Sequence, residues 1–281
     1  MSELERIRSD SLGRLAVAAW RPVTARGRAI LRFSMRVVPV LDLKGGLAVH
    51  AVRGERQFYA PVRSVLSPSA DPVALARAFR DRLGSDACYV ADLDAISGVG
   101  DHHAVVRAIA GLGLAVWLDA GVATAGDAHR AASGGARRVI VGTETLKDVR
   151  DLPGIVQGAR GATSAGADCI LSLDHRGGQL LGGSPAVAGI DANALATAAW
   201  AAGIRAFIVL DLARVGAGTG PETEPARRLR ASLPAAEIVL GGGVRGKDDL
   251  RALAAAGYQA ALVGTALHTG VLGPADLIAR A

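Results

Sequence analysis

The chain has 281 residues, enough for one α/β barrel or two small domains, and its hydrophobic content of 50% excludes an intrinsically disordered protein. The net charge of +6 belongs almost entirely to residues 1–36, which contain eight arginines and three acidic residues. Residues 37–281 are nearly neutral and have no basic stripe with interleaved aromatic residues, so we expect no nucleic-acid partner.

The N-terminal segment, residues 1–36, is rich in arginine and poor in acidic residues, a composition typical of a targeting arm. Met35, however, stands just before the first predicted strand. We therefore favour a translation start at Met35, or an arm that is dispensable, over a targeting role. The sequence predicts two parts, an extension over 1–36 and a folded domain over 37–281.

Eight short apolar runs follow along the chain, and none shows strict alternation of polar and apolar residues. Strands of a parallel sheet that are buried on both faces have this pattern. The predicted strands are VVPVLD (37–42), ACYVAD (87–92), LAVWLD (114–119), RVIVG (138–142), DCILSLD (168–174), RAFIVLD (205–211), EIVLGG (237–242) and AALVG (260–264).

Stretches rich in Ala, Arg and Leu lie between these runs, and several begin with Asp, Thr or Pro and end in Gly, as helices do. The predicted helices cover 71–84, 103–113, 124–135, 148–165, 191–203, 222–233, 246–257 and 274–281. Eight strand–helix alternations in about 245 residues predict an α/β fold of the (β/α)8 TIM barrel type.

The two halves of this pattern resemble each other. VVPVLDLKGG in the first half matches CILSLDHRGG in the second, so that Asp42 and Asp174 are 132 residues apart. Gly121 and Gly243, like Gly142 and Gly264, are 122 residues apart. We therefore expect two similar half-barrels with matching residues on opposite sides of one mouth. A doubly wound sheet does not predict this repeat, and its GxGxxG turn is missing after the first strand.

Five predicted strands end in an aspartate, and the C-terminal ends of barrel strands surround the active site. These residues are Asp42, Asp92, Asp119, Asp174 and Asp211. We predict that Asp42 and Asp174 are catalytic, because two carboxylates in a mouth of low dielectric push their pKa values apart and supply an acid and a base. An aldose–ketose isomerisation needs both, one to open the sugar ring and one to remove the proton from C2. For Asp92 and Asp211 substrate binding is the functional prediction, but loop anchoring is the better explanation of aspartates at these two positions.

Glycines at the ends of the last two predicted strands indicate a phosphate site. Gly242 and Gly243 follow the seventh strand, and Gly264 and Thr265 follow the eighth. The loops after these two strands form the usual phosphate site of TIM barrels, where backbone N–H groups meet the anion. Ordinary tight turns are the alternative, but the two motifs together favour phosphate binding.

The matching residues of the first half, Gly121, Gly142 and Thr143, are predicted to contact the substrate, but Asp119 breaks the symmetry because it stands where the second half has Gly241. A carboxylate about 4 Å from a phosphate costs roughly 4 kcal/mol per pair of unit charges at an effective dielectric near 20. We therefore expect this end to reject a phosphate, unless Asp119 turns away. An acidic group there suits a hydroxyl, an amine or a metal-bound water.

Metal, cofactor and membrane signals are weak. Cys88 and Cys169 each open an apolar run without the spacing of a metal or redox motif, so we expect buried, reduced thiols and a cytoplasmic protein. The six histidines form no ligand motif, and we predict no metal and no cofactor. No apolar run reaches the about 18 residues of a membrane span. For the long first loop, VRGERQFYAPV, an exposed loop is the default expectation, and closure over the mouth with Arg53 on an anion is the alternative.

These motifs together resemble the HisA/HisF barrels of histidine biosynthesis. The resemblance covers 37–281 and is carried by PVLDLKGG, the RGE loop with Tyr59, VADLDAISG, VIVGTETL, LSLDHR, LDLARVGAGTG, LGGGVR and LVGTAL. It implies an isomerase that performs an Amadori rearrangement, with Asp42 as the base and Asp174 as the acid. The chain departs from the family at Asp119-Ala120-Gly121 in place of GGG, at Leu210 in place of Thr, and at Val215 in place of Asp. The loop RGGQLLGGSP also lacks the stacking Trp of the isomerase.

Three functions remain open, each with a small phosphorylated metabolite as the expected ligand. The first is a cofactor-free isomerase of a phosphoribosyl compound, as in histidine biosynthesis. The second is a divergent relative that acts on a substrate with one phosphate in the synthesis of a one-carbon carrier of the methanopterin or methylofuran type. The third is a barrel that binds a ligand without catalysis. The sequence does not predict the oligomeric state.

Overall fold

The structure is a computed structural model, and it describes residues 35–277. Of the extension predicted over 1–36, only Met35 and Arg36 are among the described residues, and Arg36 already belongs to the first strand. The end of the helix predicted over 274–281 also lies outside them. The strands are β1 Arg36–Lys44, β2 Leu47–His50, β3 Ala60–Pro61, β4 Ala87–Asp92, β5 Ala115–Asp119, β6 Ala136–Gly142, β7 Asp168–Arg176, β8 Gln179–Leu180, β9 Ala206–Asp211, β10 Glu237–Gly241 and β11 Ala260–Val263.

Eight of these strands form a closed parallel barrel. β1, β4, β5, β6, β7, β9, β10 and β11 pair in that order, and β11 pairs back onto β1 through Arg36–Ala260 and the positions that follow. Closure leaves no unpaired edge strand among these eight. The predicted TIM barrel is confirmed.

Helices follow the barrel strands on the outside. They are α1 Pro72–Leu83, α2 Leu93–Ile96, α3 His103–Ala110, α4 Ala125–Ser133, α5 Leu152–Arg160, α6 Pro185–Ala188, α7 Ala192–Ala201, α8 Glu224–Ser232, α9 Lys247–Ala255, α10 Thr265–His268 and α11 Pro274–Leu277. The capping residues predicted from the sequence explain where several helices begin or end. Asp71 accepts a hydrogen bond from the Ala74 backbone N–H, and Gly84 ends α1 at a φ of 67°. The short helices α2, α6 and α10 have no counterpart among the predicted helices.

Alternate residues of each barrel strand face either the barrel interior or the helices. In β4, Ala87, Tyr89 and Ala91 belong to the interior cluster, whereas Cys88 and Val90 pack with the helices. The barrel strands are therefore buried on both faces, which explains why their sequences do not alternate between polar and apolar residues. Both cysteines are buried and free, in agreement with the sequence.

The repeat is visible in the two longest strands. β1 and β7 each contain nine residues. Each is also followed by a short antiparallel partner, so that Asp42 pairs with Val49 in β2 and His175 pairs with Leu180 in β8. Both hairpins extend from the C-terminal ends of the barrel strands, where they add walls to the mouth. Among the described residues, no helix is long and apolar enough to cross a bilayer.

Candidate active site

A cavity of about 730 Å³ opens at the C-terminal ends of the barrel strands. Seven of the predicted site residues line it: Asp42, Asp119, Asp174, Gly242, Gly243, Gly264 and Thr265. The first three project from β1, β5 and β7, and the other four follow β10 and β11. The cavity therefore has a carboxylate-rich side and a glycine-rich side.

The three aspartates converge because each occupies an inward-facing position at the end of its strand. The Tyr89 hydroxyl, inside the barrel, donates a hydrogen bond to Asp119 Oδ2 at 3.2 Å. A Cβ atom built on Gly142 would lie 3.4 Å from Asp174 Oδ2 and 3.9 Å from Asp119 Oδ2. Glycine at position 142 thus leaves the space into which the carboxyl groups of Asp119 and Asp174 both project.

Burial sets the protonation of Asp42. Removal from water raises the pKa of its carboxyl group from 3.8 to about 7, because burial penalises the charged form. The Arg56 guanidinium opposes this shift, and the Asp119 carboxylate adds to it. A carboxyl group with this pKa exists in both forms near neutral pH and is suited to accept a proton.

Asp174 is held more strongly in its protonated form. Burial raises its pKa well above 3.8, and the charges of Asp119 and Glu144 raise it further. The Ser172 hydroxyl donates to Asp174 Oδ1 at 2.7 Å and lowers the pKa in part. The Asp174 backbone N–H donates to Thr143 Oγ1 at 3.1 Å, which fixes the strand end. A neutral carboxyl group in this position is suited to donate a proton.

Asp119 completes the acidic side of the cavity. Burial raises the pKa of Asp119 to about 6, and the neighbouring Glu144 carboxylate raises it as well. The Gly121 backbone N–H, which donates to Asp119 Oδ1 at 3.3 Å, and the Tyr89 hydroxyl both lower it. Asp119 is turned toward the cavity and not away from it.

The glycine-rich side contains two consecutive residues with positive φ. Gly242 and Gly243 have φ values of 87° and 82°, a region that side-chain-bearing residues rarely adopt. His50 Nε2 lies 3.0 Å from Thr265 Oγ1, so a ring nitrogen stands beside the same loop. Gly264, Thr265 and His50 all line the cavity.

Of the two expectations for Asp92 and Asp211, the geometry favours loop anchoring over substrate binding. Neither belongs to the cavity lining, because each lies one position beyond the inward-facing register of its strand. Asp92 accepts hydrogen bonds from the backbone N–H groups of Ala95 and His102 and contacts His102 Nδ1 at 2.8 Å. Asp211 accepts from the Ala213 backbone N–H and lies 3.4 Å from Arg214. Both residues anchor loops.

Gly121, Gly142 and Thr143 also lie outside the cavity lining, contrary to the expectation that they contact substrate. Gly121 packs against α2, where an added Cβ would lie 2.9 Å from the Ile96 Cα. Thr143 is fully buried behind Asp174. These residues lie behind Asp119 and Asp174 and do not themselves line the cavity.

The sequence did not single out two further residues of the cavity, Arg56 and Glu144. Their side chains form an ion pair at 2.5 Å that joins the first loop to the loop after β6. Arg53, the alternative anion contact, lies outside the lining, and its backbone N–H donates to the Val215 carbonyl. A signal for Glu144 was present, since the matching residue of the second half is Ala266.

No group of three or more His, Cys, Asp or Glu side chains within 35–277 is arranged to hold a metal ion.

The chain is similar to known proteins along most of its length. A family model described as "Histidine biosynthesis protein" matches residues 36–273. An uncharacterized protein of Methanocaldococcus jannaschii is 32% identical over 248 residues, which are 87% of this chain and 98% of that protein. The 1-(5-phosphoribosyl)-5-((5-phosphoribosylamino)methylideneamino)imidazole-4-carboxamide isomerase of a Thermus thermophilus strain is 35% identical over 84% of this chain and 95% of its own. The isomerase of the same name from Rubrobacter xylanophilus is 35% identical over 87% and 96%.

Proposed function

Since the chain belongs to the histidine biosynthesis protein family, we propose that it is an isomerase that converts a phosphoribosyl aldose derivative into the corresponding ketose by an Amadori rearrangement. The observation that carries this proposal is the convergence of Asp42 and Asp174 in one cavity, both with pKa values raised by burial. Relatives with isomerase names that match most of this chain support the same reaction class.

The chemistry assigns different roles to the two carboxyl groups. The neutral form of Asp174 protonates the ring oxygen of the aminoaldose, the C1–O bond breaks, and the nitrogen lone pair forms a C1=N bond. Asp42 then removes the proton from C2, those electrons form a C1=C2 bond, and the π electrons of the C1=N bond return to nitrogen. Proton transfer to C1 and loss of the O2 proton give the ketose. Atoms and electrons balance, because the product is an isomer of the substrate.

The glycine-rich side provides the binding energy in this proposal. Gly242, Gly243, Gly264 and Thr265 surround the position where the phosphate of the substrate is held. Backbone N–H groups in such loops donate to phosphate oxygens without needing a charged side chain. Holding the phosphate fixes C1 and C2 relative to the two aspartates, and such positioning lowers the barrier to reaction.

Complementation tests the proposal. A bacterial strain that lacks the histidine-pathway isomerase is expected to grow without histidine when it expresses this chain. Asp42→Asn and Asp174→Asn are each expected to abolish growth, because each removes one proton-transfer group and a loss of about 10²- to 10⁴-fold is typical. Asp168→Asn, an exposed position at the other end of the same strand as Asp174, serves as the control.

A second function, the divergent relative with a one-phosphate substrate, is favoured by one observation. Asp119 faces the cavity where the first half would otherwise present a glycine turn. This second function would be supported if the chain did not complement the strain that lacks the histidine-pathway isomerase and if Asp42→Asn abolished a different cellular function. Intact cellular function in both Asp42→Asn and Asp174→Asn, with loss on changing the glycine loops, would instead indicate a barrel that binds without catalysis.

A further inference from the structure

A histidine stands at the glycine-rich side of the cavity and has no role in the chemistry proposed above. His50 is the last residue of β2, lines the cavity and is half-buried. Its Nε2 atom lies 3.0 Å from Thr265 Oγ1, which is hydrogen-bond distance. β2 is paired with β1 on one side and with β3 on the other, where His50 itself pairs with Ala60. The strand pairing therefore holds the imidazole next to the loop that follows β11.

The direction of this hydrogen bond depends on the charge of the imidazole. A neutral ring with its proton on Nδ1 accepts at Nε2, so the Thr265 hydroxyl uses its proton on His50. A doubly protonated ring can only donate at Nε2, so Thr265 Oγ1 accepts and its own O–H is free to donate elsewhere. Protonation of His50 thus turns the Thr265 hydroxyl into a donor for a ligand and places a positive charge behind it.

A second imidazole, that of His268 on α10, lines the same cavity. His268 is 7% exposed, and its Nδ1 lies 3.0 Å from Ser64 Oγ. Burial lowers the pKa of His268, the Val40 backbone opposes this shift, and a charge on His50 adds to it. Two neighbouring imidazoles do not easily carry a proton each, so the more exposed one, His50, is the one that takes up charge.

The loop after β10 and strand β1 contribute the other charged groups near this side, Arg245 and Asp42. The Arg245 guanidinium donates to Asp249 at 2.6 Å and 3.0 Å, so this ion pair has no net charge. Asp42 repels an anion when it is ionised, and β3, Ala60–Pro61, carries no ionisable side chain. Among the described residues of this side, His50 is therefore the group that can gain a positive charge when an anion binds.

We infer that His50 is a proton-coupled binding residue of the phosphate site: as an imidazolium it donates through Nε2 to Thr265 Oγ1, and the Thr265 hydroxyl donates to a phosphate oxygen. This inference rests on the proposed function, since it takes the phosphate at the glycine-rich side. The proton comes from solvent, and the phosphate favours its uptake because an adjacent negative charge stabilises the imidazolium. The site thus selects the dianion of a phosphate monoester over a singly charged anion.

Sulfate is the probe that tests this inference without turnover. It keeps two negative charges across the pH range in which histidine titrates, so a pH dependence of its binding comes from the protein. Calorimetric titration into the full chain at constant ionic strength is expected to show at least about fivefold tighter binding at about pH 6 than at about pH 8. Titrations in buffers of different ionisation enthalpy are expected to show proton uptake on binding.

Two substitutions bracket the behaviour of His50. His50→Gln keeps an N–H donor but cannot gain charge, so it is expected to bind sulfate as weakly at about pH 6 as the unmodified chain does at about pH 8. His50→Arg is always charged and is expected to bind at about pH 8 as tightly as the unmodified chain does at about pH 6. His129→Gln, the same substitution at an exposed histidine on α4, is the matched control and is expected to keep the pH dependence.

Asp42→Asn separates His50 from the acidic group that titrates in the same range. This variant is expected to keep the pH dependence of sulfate binding, whereas folded His50→Gln is expected to lose it, with folding checked by thermal melting. Persistence of the dependence in His50→Gln, or its loss in Asp42→Asn, would overturn the inference.

Binding that is independent of pH in the unmodified chain, or no binding of sulfate at all, would overturn it too. The proposed function fails by a different measurement, the complementation assay, whose outcome does not alter the sulfate titrations. Sulfate binding without pH dependence would likewise leave the proposed isomerase standing.

Discussion

Individual carboxyl groups at the mouth are placed where water cannot stabilise their charge. Asp42 and Asp119 have pKa values raised to about 7 and about 6, and burial is the largest cause in both cases. Desolvation of this kind is how active sites keep acids and bases close to neutral pH. The same desolvation makes the ionised folded state less stable, so residues that serve the chemistry destabilise the fold.

Replacement of Asp42 by Asn is expected to stabilise the protein at alkaline pH. The folded pKa of about 7 lies above the unfolded value of 3.8, so the folded state binds the proton more tightly. The contribution of Asp42 to stability therefore falls as pH rises from about 4 to about 7 and is constant above that range. At about pH 8 we expect Asp42→Asn to raise the free energy of unfolding by about 2 to 4 kcal/mol, since one pKa unit corresponds to about 1.4 kcal/mol.

Urea denaturation near pH 8 and near pH 5 measures this effect. The difference between Asp42→Asn and the unmodified chain is expected to shrink at the lower pH, where the folded carboxyl group is mostly protonated. Asp168→Asn, whose carboxylate is exposed, is the matched control and is expected to change little at either pH. A pH-independent difference for Asp42→Asn would contradict the explanation.

At the scale of elements, short connections decide which strand ends reach the cavity. The short helix α2 begins directly after β4 and is capped by Asp92, which accepts from the Ala95 backbone N–H. It packs its backbone against the turn after β5, where Gly121 has a φ of 69°. This contact holds the β5 turn behind the mouth while the Asp119 side chain remains inside it. The loop that carries Arg56 crosses to Glu144 in a similar way.

Gly121→Ala tests the packing of α2 on this turn, with Gly45→Ala as the matched control. Both glycines have positive φ values, 69° and 57°, so an alanine is strained at either position, by roughly 1 to 2 kcal/mol. Only at Gly121 does the added Cβ also meet backbone, whereas nothing lies within 4 Å at Gly45. Thermal or urea denaturation is expected to show an additional loss of about 1 to 3 kcal/mol for Gly121→Ala. Equal losses would show that the α2 contact is not close.

At the scale of the whole molecule, barrel closure makes one interior out of residues that are far apart in sequence. Trp117 is 1% exposed, and the guanidinium groups of Arg138 and Arg36 lie 4.6 Å and 5.6 Å from its ring centroid. Arg138 also forms two hydrogen bonds with Glu237, which connects β6 to β10 although these strands are not neighbours. The indole and the Arg138–Glu237 ion pair thus connect strands inside the closed barrel.

Trp117→Ala is expected to lower the free energy of unfolding by about 3 to 5 kcal/mol, the cost of removing a large buried aromatic side chain from a core. Trp200→Ala is the control, because Trp200 lies on α7 outside the barrel and is only partly buried. Its loss is expected to be clearly smaller. Urea denaturation followed by far-ultraviolet circular dichroism measures both, and equal losses would contradict a packed barrel interior.

The amino-acid sequence by itself determined the eight strands, the order of the long helices and the repeat. Buried apolar runs and capping residues are local features, and the repeat of the two halves can be recognised from the sequence alone. The same repeat placed Asp42 and Asp174 at equivalent strand ends, which led to the pair that the cavity brings together. The glycine loops after β10 and β11 were also predicted from local motifs.

Tertiary structure alone decided which strand-end aspartates face the cavity. Neighbouring residues of a strand point to opposite faces, so a shift of one position separates Asp119, which lines the cavity, from Asp92, which anchors a loop. The sequence shows an aspartate at five strand ends but does not show which positions of each strand face the barrel interior. The ion pair of Arg56 with Glu144 joins residues 88 positions apart, and only the closed barrel brings them into contact.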